Sequence, residues 1–100
     1  MSSLLPIASS GLQAAQLRLH GSAHNVANLN TPNFRRQQVE QQAAPPPGGV
    51  QARSIQAQRP GVALEAEAVE QIAAAYAFKA NVLVLRTADD MAGALLDVRA

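Results

Sequence analysis

Cysteine and tryptophan are absent from this chain of 100 residues, which contains only two phenylalanines and one tyrosine. Without cysteine the chain can form neither disulfides nor a thiolate centre, and it is compatible with any redox compartment. Hydrophobic residues still make up 48% of the sequence, and alanine is the commonest of them. Because alanine buries little area per side chain, this composition favours long helices packed closely on other helices, including those of other copies.

Long apolar runs are absent as well. No uninterrupted stretch of eighteen apolar residues occurs, which predicts that the chain has no membrane span. The first seven residues lack both a basic region and a long apolar segment, so no cleaved secretory signal is expected. Export by a route that needs no such signal stays open.

The net charge of +1 conceals an asymmetry between the two parts of the chain. Residues 1–63 carry five arginines and one glutamate, a net charge of +4, whereas residues 64–100 carry six acids and three basic residues, a net charge of −3. Opposite charges would orient the two parts against each other, within or between subunits. The alternative is solvated faces without a partner, since exposed ion pairs contribute only about 0 to 1 kcal/mol.

The first helical signal runs from about Ser3 to Asn28 and has a seven-residue apolar repeat. The a-type positions carry Leu5, Leu12, Leu19 and Val26, and the d-type positions carry Ala8, Ala15, Ser22 and Leu29. This pattern predicts a coiled-coil seam that a partner helix approaches closely at the small d-type residues. Gly11 and Gly21 each weaken the isolated helix by up to about 1 kcal/mol, so it should fray until something packs on it.

Asparagines mark the end of this helix. Asn25, Asn28 and Asn30 tolerate left-handed backbone or bond to their own main chain, and Thr31-Pro32 disfavours helical backbone at the threonine. The helix should therefore stop near Leu29. Beyond it the chain is expected to continue in an extended conformation.

The second helical signal begins after Pro60-Gly61 and continues almost to the end of the sequence. One apolar stripe contains Val69, Ala73, Tyr76, Ala80, Leu83, Thr87 and Ala94, and another contains Phe78, Val82, Leu85, Ala92 and Leu96. At about 100° per residue the two stripes lie on opposite sides of one helix. Such a helix needs two partners, which we expect to be the first helix and a neighbouring subunit.

Residues 34–63 form a connector rich in proline, glycine and glutamine. Residues 34–42 and 50–58 could pair as a short β-hairpin, and the alternative is a mobile linker that orders on assembly. The sequence thus predicts a mainly α fold, in which two long helices pack as an antiparallel hairpin or coiled coil. It divides one domain into an N-terminal helix with its turn (1–33), the connector (34–63) and a C-terminal helix (64–100).

Catalytic and metal chemistry have little support. His20 and His24 would share one face of the first helix, but glycine stands at position 21 where a zinc-binding H-E-x-x-H pattern needs glutamate. The serines lack an evident base and orienting acid, so nucleophilic catalysis is not indicated. We expect no metal, no cofactor and no enzymatic activity.

Nucleic-acid binding is a weak competitor. Arg35, Arg36, Arg53 and Arg59 could contact phosphates, yet the only aromatic platform near them is Phe34, and the isoelectric point is about 8.4. Nucleic-acid-binding domains are usually more basic and group their arginines and aromatic residues on one surface. No nucleic-acid partner is expected.

The segment from Asn25 to Arg36 resembles the N-terminal signature of bacterial flagellar rod and hook proteins, A-x-N-[IVL]-A-N-x-x-T-P-G-[YF]-[KR]-[KR]. The residues that carry the resemblance are Asn25, Ala27, Asn28, Thr31, Pro32 and Phe34. Phe78 to Met91 is similar to the C-terminal helix of the same family, with Asn81, Thr87 and Ala88 in the matching register. The chain departs from the family at Asn33, where glycine is usual, and at Tyr76, where arginine is common.

The resemblance implies a non-enzymatic structural subunit of the flagellar basal body, closest to the short proximal rod proteins. Such proteins pack their terminal helices into a helical axial structure that spans the periplasm and serves motility. Their partners are copies of themselves, other rod and hook subunits, and the flagellar type III export apparatus, which needs no cleaved signal. A small coiled-coil adaptor or export chaperone of a secretion system is the alternative, although it gives no reason for the asparagine-rich helix end.

Overall fold

A computed structural model describes the backbone of residues 4–99 and the side chains of residues 4–96. In chain order the elements are helix α1 (Leu4–Ala27), strand β1 (Gln37–Ala43), strand β2 (Val50–Gln56) and helix α2 (Leu64–Arg99). The predicted mainly helical fold is confirmed, and a two-stranded antiparallel sheet is added to it. Helix α1 ends within two residues of the predicted stop at Leu29.

The two strands form a hairpin, so the paired form of the connector is the one that the structure shows. The register runs from Gln37 opposite Gln56 to Ala43 opposite Val50. In the loop, the N–H of Gly48 donates to the carbonyl of Pro45 at 3.0 Å. Gly48 has a φ of 106°, a conformation that glycine adopts without steric penalty.

The hairpin packs against α1. The Ser10 hydroxyl donates to the carbonyl of Ile7 at 2.7 Å and accepts from the Val50 N–H at 3.0 Å, which fixes the loop end of the hairpin. A Cβ atom on Gly49 would lie 2.8 Å from the Ser10 hydroxyl, so this approach needs glycine. At the other end, Gly21 faces the side chain of Gln37.

Helix α1 also packs against α2, and the contacts pair late residues of one helix with early residues of the other. Ser22 bonds to Glu67, Arg18 to Glu70, and Gly11 lies against Asn81. The buried hydrophobic side chains of the described residues are all alanines: Ala8, Ala14, Ala15, Ala74 and Ala88. The molecule is accordingly thin, with extents of 63 × 25 × 14 Å along its principal axes.

By length and composition alone, the segment Leu64–Leu96 of α2 could cross a membrane. This does not agree with the expectation of no membrane span, which rested on uninterrupted apolar runs. The mean hydropathy of eighteen consecutive residues can stay high although isolated charges such as Lys79 and Arg86 interrupt the apolar run. Long helices that pack on other helices satisfy the same criterion, and one such helix is weak support for a span.

Candidate functional site

The end of α1 is closed by side-chain hydrogen bonds. Asn28 follows the last helical residue, and its side-chain amide donates to the carbonyl of His24 at 2.9 Å. The Thr31 hydroxyl donates to the side-chain oxygen of Asn28 at 3.1 Å. The chain then turns back so that the ring of Phe34 meets the ring of His24 edge to face, with centroids 5.5 Å apart. The side chains of Asn28 and Thr31 thus tie the turn to the last residues of α1.

Asn33 lies in this turn with a φ of 60°. That value belongs to the left-handed region, which glycine occupies freely and asparagine tolerates better than other residues. Asn33 therefore adopts the backbone conformation that a glycine at this position could take. Pro32 and Asn33 are both exposed, so the turn is held by backbone geometry rather than by burial.

Asn25 joins α1 to the first strand. Its side chain is fully buried, its Oδ1 accepts from the N–H of Gln37 at 2.7 Å, and its Nδ2 donates to the carbonyl of the same residue at 2.9 Å. One amide thus pairs with both main-chain groups of the first residue of β1. The Nδ2 atom also donates to Glu67 Oε1 at 3.1 Å, which adds α2 to the contact.

Glu67 is the buried carboxylate at the centre of this joint. Its exposure is 0%, and Oε2 accepts from Arg36 Nε at 2.8 Å. Ser22 donates to the main-chain carbonyl of Glu67 at 3.1 Å and accepts from the Gln71 side chain at 3.2 Å. No buried side-chain nitrogen or oxygen within the described part of the chain lacks a partner. We call Ser22, Asn25, Arg36, Gln37 and Glu67 the joint cluster.

The surroundings of Glu67 favour its charged form. Burial raises the pKa of this carboxyl, but the hydrogen bonds from Arg36 and Asn25, together with the positive charge of Arg36, lower it by more. The resulting pKa lies below the ordinary glutamate value. The joint cluster therefore contains an ion pair at neutral pH, with the arginine supplied by the connector and the carboxylate by α2.

A second ion pair lies beside the joint cluster. Arg18 donates from Nε and Nη2 to both carboxylate oxygens of Glu70, at 3.0 and 2.8 Å, and this pairing raises the pKa of the guanidinium. Both ion pairs join the positive N-terminal part of the chain to the negative C-terminal part. The orientation expected from the charge asymmetry therefore occurs within one molecule.

A cleft of about 380 Å³ opens between β1 and the start of α2. Its lining includes Arg18, Arg36, Glu67 and Glu70, whose charges are already paired with one another. Within residues 4–96, no group of three histidine, aspartate or glutamate side chains could hold a metal ion. The cleft offers no unpaired buried charge for a ligand.

The predicted seam residues of α1 differ in burial. Ala8, Ala15 and Ser22 are buried at 1 to 2% exposure, whereas Leu29 follows the helix and is 41% exposed. The a-type residues Leu12, Leu19 and Val26 are half-buried, and Leu5 is exposed. The small d-type positions are thus those that come closest to the rest of the fold.

The two predicted stripes of α2 also have different surroundings. Phe78, Val82 and Leu85 of the second stripe are half-buried, while its last member, Leu96, is exposed. The first stripe faces outward, with Val69, Tyr76 and Leu83 between 63 and 69% exposed.

The residues of the family signature also differ in burial. Asn25 and Ala88 are buried, Asn28, Phe34 and Asn81 are half-buried, and Ala27, Thr31, Pro32 and Thr87 are exposed. Asn81 lies against Gly11, and its amide donates to the carbonyl of Ala77 at 2.8 Å. The Thr87 hydroxyl bonds only within its own helix, to the carbonyl of Leu83 at 2.9 Å.

The carboxylates of the two ion pairs, Glu67 and Glu70, were not identified from the sequence. Glu67 and Glu70 lie near another acid at the start of α2. A glutamate there is ordinarily solvated and interacts favourably with the helix dipole. A heptad count does single out Glu67, since Glu67, Ala74, Asn81 and Ala88 recur every seven residues and are buried or half-buried. This seven-residue repeat can be read from the sequence, but it consists of small and polar residues rather than large apolar ones.

Residues 5–35 match the family model described as flagella basal body rod protein. The match covers α1 and the turn up to Phe34, including Asn25 of the joint cluster. No curated protein matches the chain. The family is structural, and its location is the flagellar basal body. The N-terminal third of the chain, from α1 to the turn after it, is therefore similar to flagellar basal-body rod proteins.

Proposed function

We propose that this chain self-assembles through its terminal helices into the helical axial structure of the flagellar basal body, in the manner of a short proximal rod protein. The observation that carries the proposal is the outward side of α2. Val69, Ile72, Tyr76 and Leu83 are each between 59 and 69% exposed and lie on the side away from α1. Such a row of large apolar side chains is a typical protein-interaction surface.

The core supports the same proposal. Its buried hydrophobic side chains are alanines, each of which contributes little burial. A single copy is therefore weakly stabilised, whereas packing against a neighbour would cover the large side chains left outside. The half-buried row Leu12, Leu19 and Val26 on α1 offers a second surface of the same seven-residue period.

The three predicted parts of the chain have distinct roles in this proposal. Residues 1–33 and 64–100 supply the two helices of an antiparallel helical hairpin, and the connector, residues 34–63, packs along α1. The joint cluster fixes the angle between helix and connector, because Asn25 bonds to both main-chain groups of Gln37. A fixed angle would set the register between neighbouring subunits.

The proposed partners are further copies of this chain, other rod and hook subunits, and the flagellar type III export apparatus. Export without a cleaved signal fits a chain whose weak core lets its helices open before assembly. The periplasm-spanning position within the basal body belongs to the same proposal.

A substitution on the outward side of α2 tests the proposal. Leu83→Asp should leave the exported protein soluble and equally helical by circular dichroism, since this side chain is 63% exposed. Its amount in purified basal bodies should fall at least tenfold, with loss of motility. Gln41→Asp, on the exposed part of β1, is the matched control and should assemble normally. Normal incorporation of Leu83→Asp would show that the outward side of α2 is not the assembly surface.

The adaptor or export chaperone reading predicts a different solution behaviour. An adaptor should form a stable closed oligomer at all concentrations, whereas a rod subunit should be monomeric when dilute and gain helix as it associates. Circular dichroism over a concentration series distinguishes the two. Deleting the chain from a strain without a second copy should also leave the rod incomplete.

A further inference from the structure

Helix α2 extends beyond its contact with α1. Gly11 lies against Asn81, so the start of α1, seven residues before Gly11, lies opposite the region of Ala88. Ala88 is 2% exposed and is the last buried residue of α2 among the described side chains. Every residue from 89 to 96 is exposed. We call residues 89–96 the overhang.

The overhang continues the pattern by which α2 packs on α1. Ala74, Asn81 and Ala88 recur every seven residues on the α1-facing side, and Leu95 is the next member of the series. Leu95 is 62% exposed, and Met91 and Leu96 beside it are 53 and 67% exposed. An apolar packing position is therefore present one heptad past the residues that α1 covers.

The charges at the two ends of the molecule are complementary. Asp89 and Asp90 on the overhang are exposed and form no ion pair with any described residue. At the opposite end, Arg35 and Arg59 are exposed and likewise lack a carboxylate partner among residues 4–96, whereas Arg18, Arg36 and Arg53 each pair with a glutamate.

Arg35 and Arg59 belong to one surface. Arg35 forms a backbone bridge with Gly61, and its guanidinium donates to the carbonyl of Ala57, which holds the segment around Arg59 beside it. Leu29, just past the end of α1, and Leu64, at the start of α2, lie at the same end of the molecule and are 41 and 52% exposed. We call Leu29, Arg35, Arg59 and Leu64 the connector end.

We propose that the overhang of one copy docks on the connector end of the next copy. The inference rests on the proposed assembly function and names the two surfaces that meet. Asp89 and Asp90 face Arg35 and Arg59 across the contact, and Leu95 packs against the exposed leucines. The contact joins two different surfaces, so it repeats along the long axis without closing. Two overhangs facing each other would place acids against acids, which disfavours a symmetric contact.

Two charge-reversal variants test this pairing. One carries Asp89→Arg and Asp90→Arg, and the other carries Arg35→Glu and Arg59→Glu. Each variant alone would place like charges at both of its ends, so self-association at low salt should weaken at least tenfold relative to the wild type. A 1:1 mixture should recover association to within about threefold, because each end of one variant then meets an opposite charge on the other. Sedimentation velocity over a concentration series measures both effects.

Two controls complete the experiment. The exchange Glu40→Arg with Arg53→Glu reverses an exposed ion pair on the hairpin and should associate like the wild type. The recovery seen in the mixture should disappear in about 1 M salt, where the Debye length is about 3 Å. Circular dichroism should show equal helix content in all variants.

The outcomes separate this inference from the proposed function. A mixture that stays as weakly associated as its components, a wild type that does not associate at low salt, or stronger association of Asp89→Arg/Asp90→Arg alone would each overturn head-to-tail docking. The assembly function is judged separately by incorporation of Leu83→Asp. If Leu83→Asp is not incorporated and the 1:1 mixture does not recover association, the proposed assembly function is supported and the end-to-end pairing is wrong.

Discussion

Asn25 pairs with Gln37 as a neighbouring strand would, accepting from its N–H at 2.7 Å and donating to its carbonyl at 2.9 Å. A helix side chain thereby supplies the hydrogen bonds that begin a β-hairpin. The same amide reaches Glu67 on α2 at 3.1 Å, so three elements meet at one residue. The orientation of the connector depends on this amide more than on the exposed turn between helix and strand.

Replacing Asn25 with alanine should therefore destabilise the fold strongly. The change removes both hydrogen bonds to Gln37 and one to Glu67. The main-chain N–H and carbonyl of Gln37 and the Oε1 atom of Glu67 then lose a partner where little water reaches them. We expect a loss of about 2 kcal/mol or more in the free energy of unfolding, measured by urea denaturation with circular dichroism. Asn28→Ala, which removes two exposed hydrogen bonds of the turn, is the control and should lose only about 0.5 to 1 kcal/mol. Equal losses in the two variants would show that Asn25 is an ordinary turn residue.

Glu67 should make stability depend on pH in the acid range. The pKa of Glu67 is lower in the folded chain than the ordinary glutamate value, so its contribution to stability is fully present above that ordinary value and is lost as the pH falls through the folded pKa. At neutral pH we expect Glu67→Gln to be less stable than the wild type by more than about 1 kcal/mol, because Arg36 loses its buried partner. The difference should shrink towards zero in acid.

The measurement for Glu67 is urea unfolding of both proteins at a series of pH values from neutral to about 3. Glu40→Gln is the matched control, since this carboxylate is exposed and pairs with an exposed arginine. Exposed pairs contribute only about 0 to 1 kcal/mol. A difference between wild type and Glu67→Gln that stays constant over the whole series would contradict a charged Glu67 in the folded chain.

Gly11 and Gly93 should respond oppositely to alanine. Both lie inside helices, and in an open helical position alanine is more stable than glycine by up to about 1 kcal/mol. A Cβ atom on Gly93 would meet nothing within 4 Å, so Gly93→Ala should stabilise by about 0.5 to 1 kcal/mol. A Cβ atom on Gly11 would lie 2.7 Å from Cγ of Asn81, so Gly11→Ala should gain nothing or lose stability.

A double substitution identifies the cause of the Gly11 effect. Asn81→Ala removes the side chain that a Cβ atom at position 11 would meet, so Gly11→Ala should be stabilising in that background. The non-additive term of the double-mutant cycle measures the contact, with unfolding free energies as the readout. An additive cycle would mean that Asn81 moves aside freely and that glycine is not required for the approach of the helices.

Much of the helical structure could be predicted from the sequence because it follows from local periodicity. The seven-residue spacing of Ala8, Ala15 and Ser22 marked positions that prove to be buried, and the asparagines with Thr31-Pro32 marked the end of α1 to within two residues. The two stripes of α2 were likewise separated by geometry alone. The side of α2 that other subunits contact stays a prediction.

The joint cluster could not be predicted in the same way, because its parts are distant in sequence. Arg36 and Glu67 are separated by 31 positions, and Asn25 and Glu67 by 42. A buried glutamate has the same local pattern as a solvated one in the first turn of a helix. The hairpin stayed one of two alternatives because its apolar residues, Phe34, Val39, Val50 and Ile55, are too sparse to specify strands. Its position also depends on contacts with α1.

Position 33 offers a test of the turn that leads into the connector. Asn33 has a φ of 60°, so glycine should be accepted there with little change, whereas a β-branched residue meets steric strain of about 1 to 2 kcal/mol. We expect Asn33→Gly to unfold within about 0.5 kcal/mol of the wild type and Asn33→Val to be destabilised by about 1 to 2 kcal/mol. Because the side chain is exposed, burial does not contribute to the difference. Urea unfolding of the three proteins measures it, and equal stability of the valine variant would show that the turn relaxes out of the left-handed conformation. With that outcome, Asn33→Val should also incorporate normally into the assembled structure. The joint cluster, rather than the turn, would in that case set the direction of the connector.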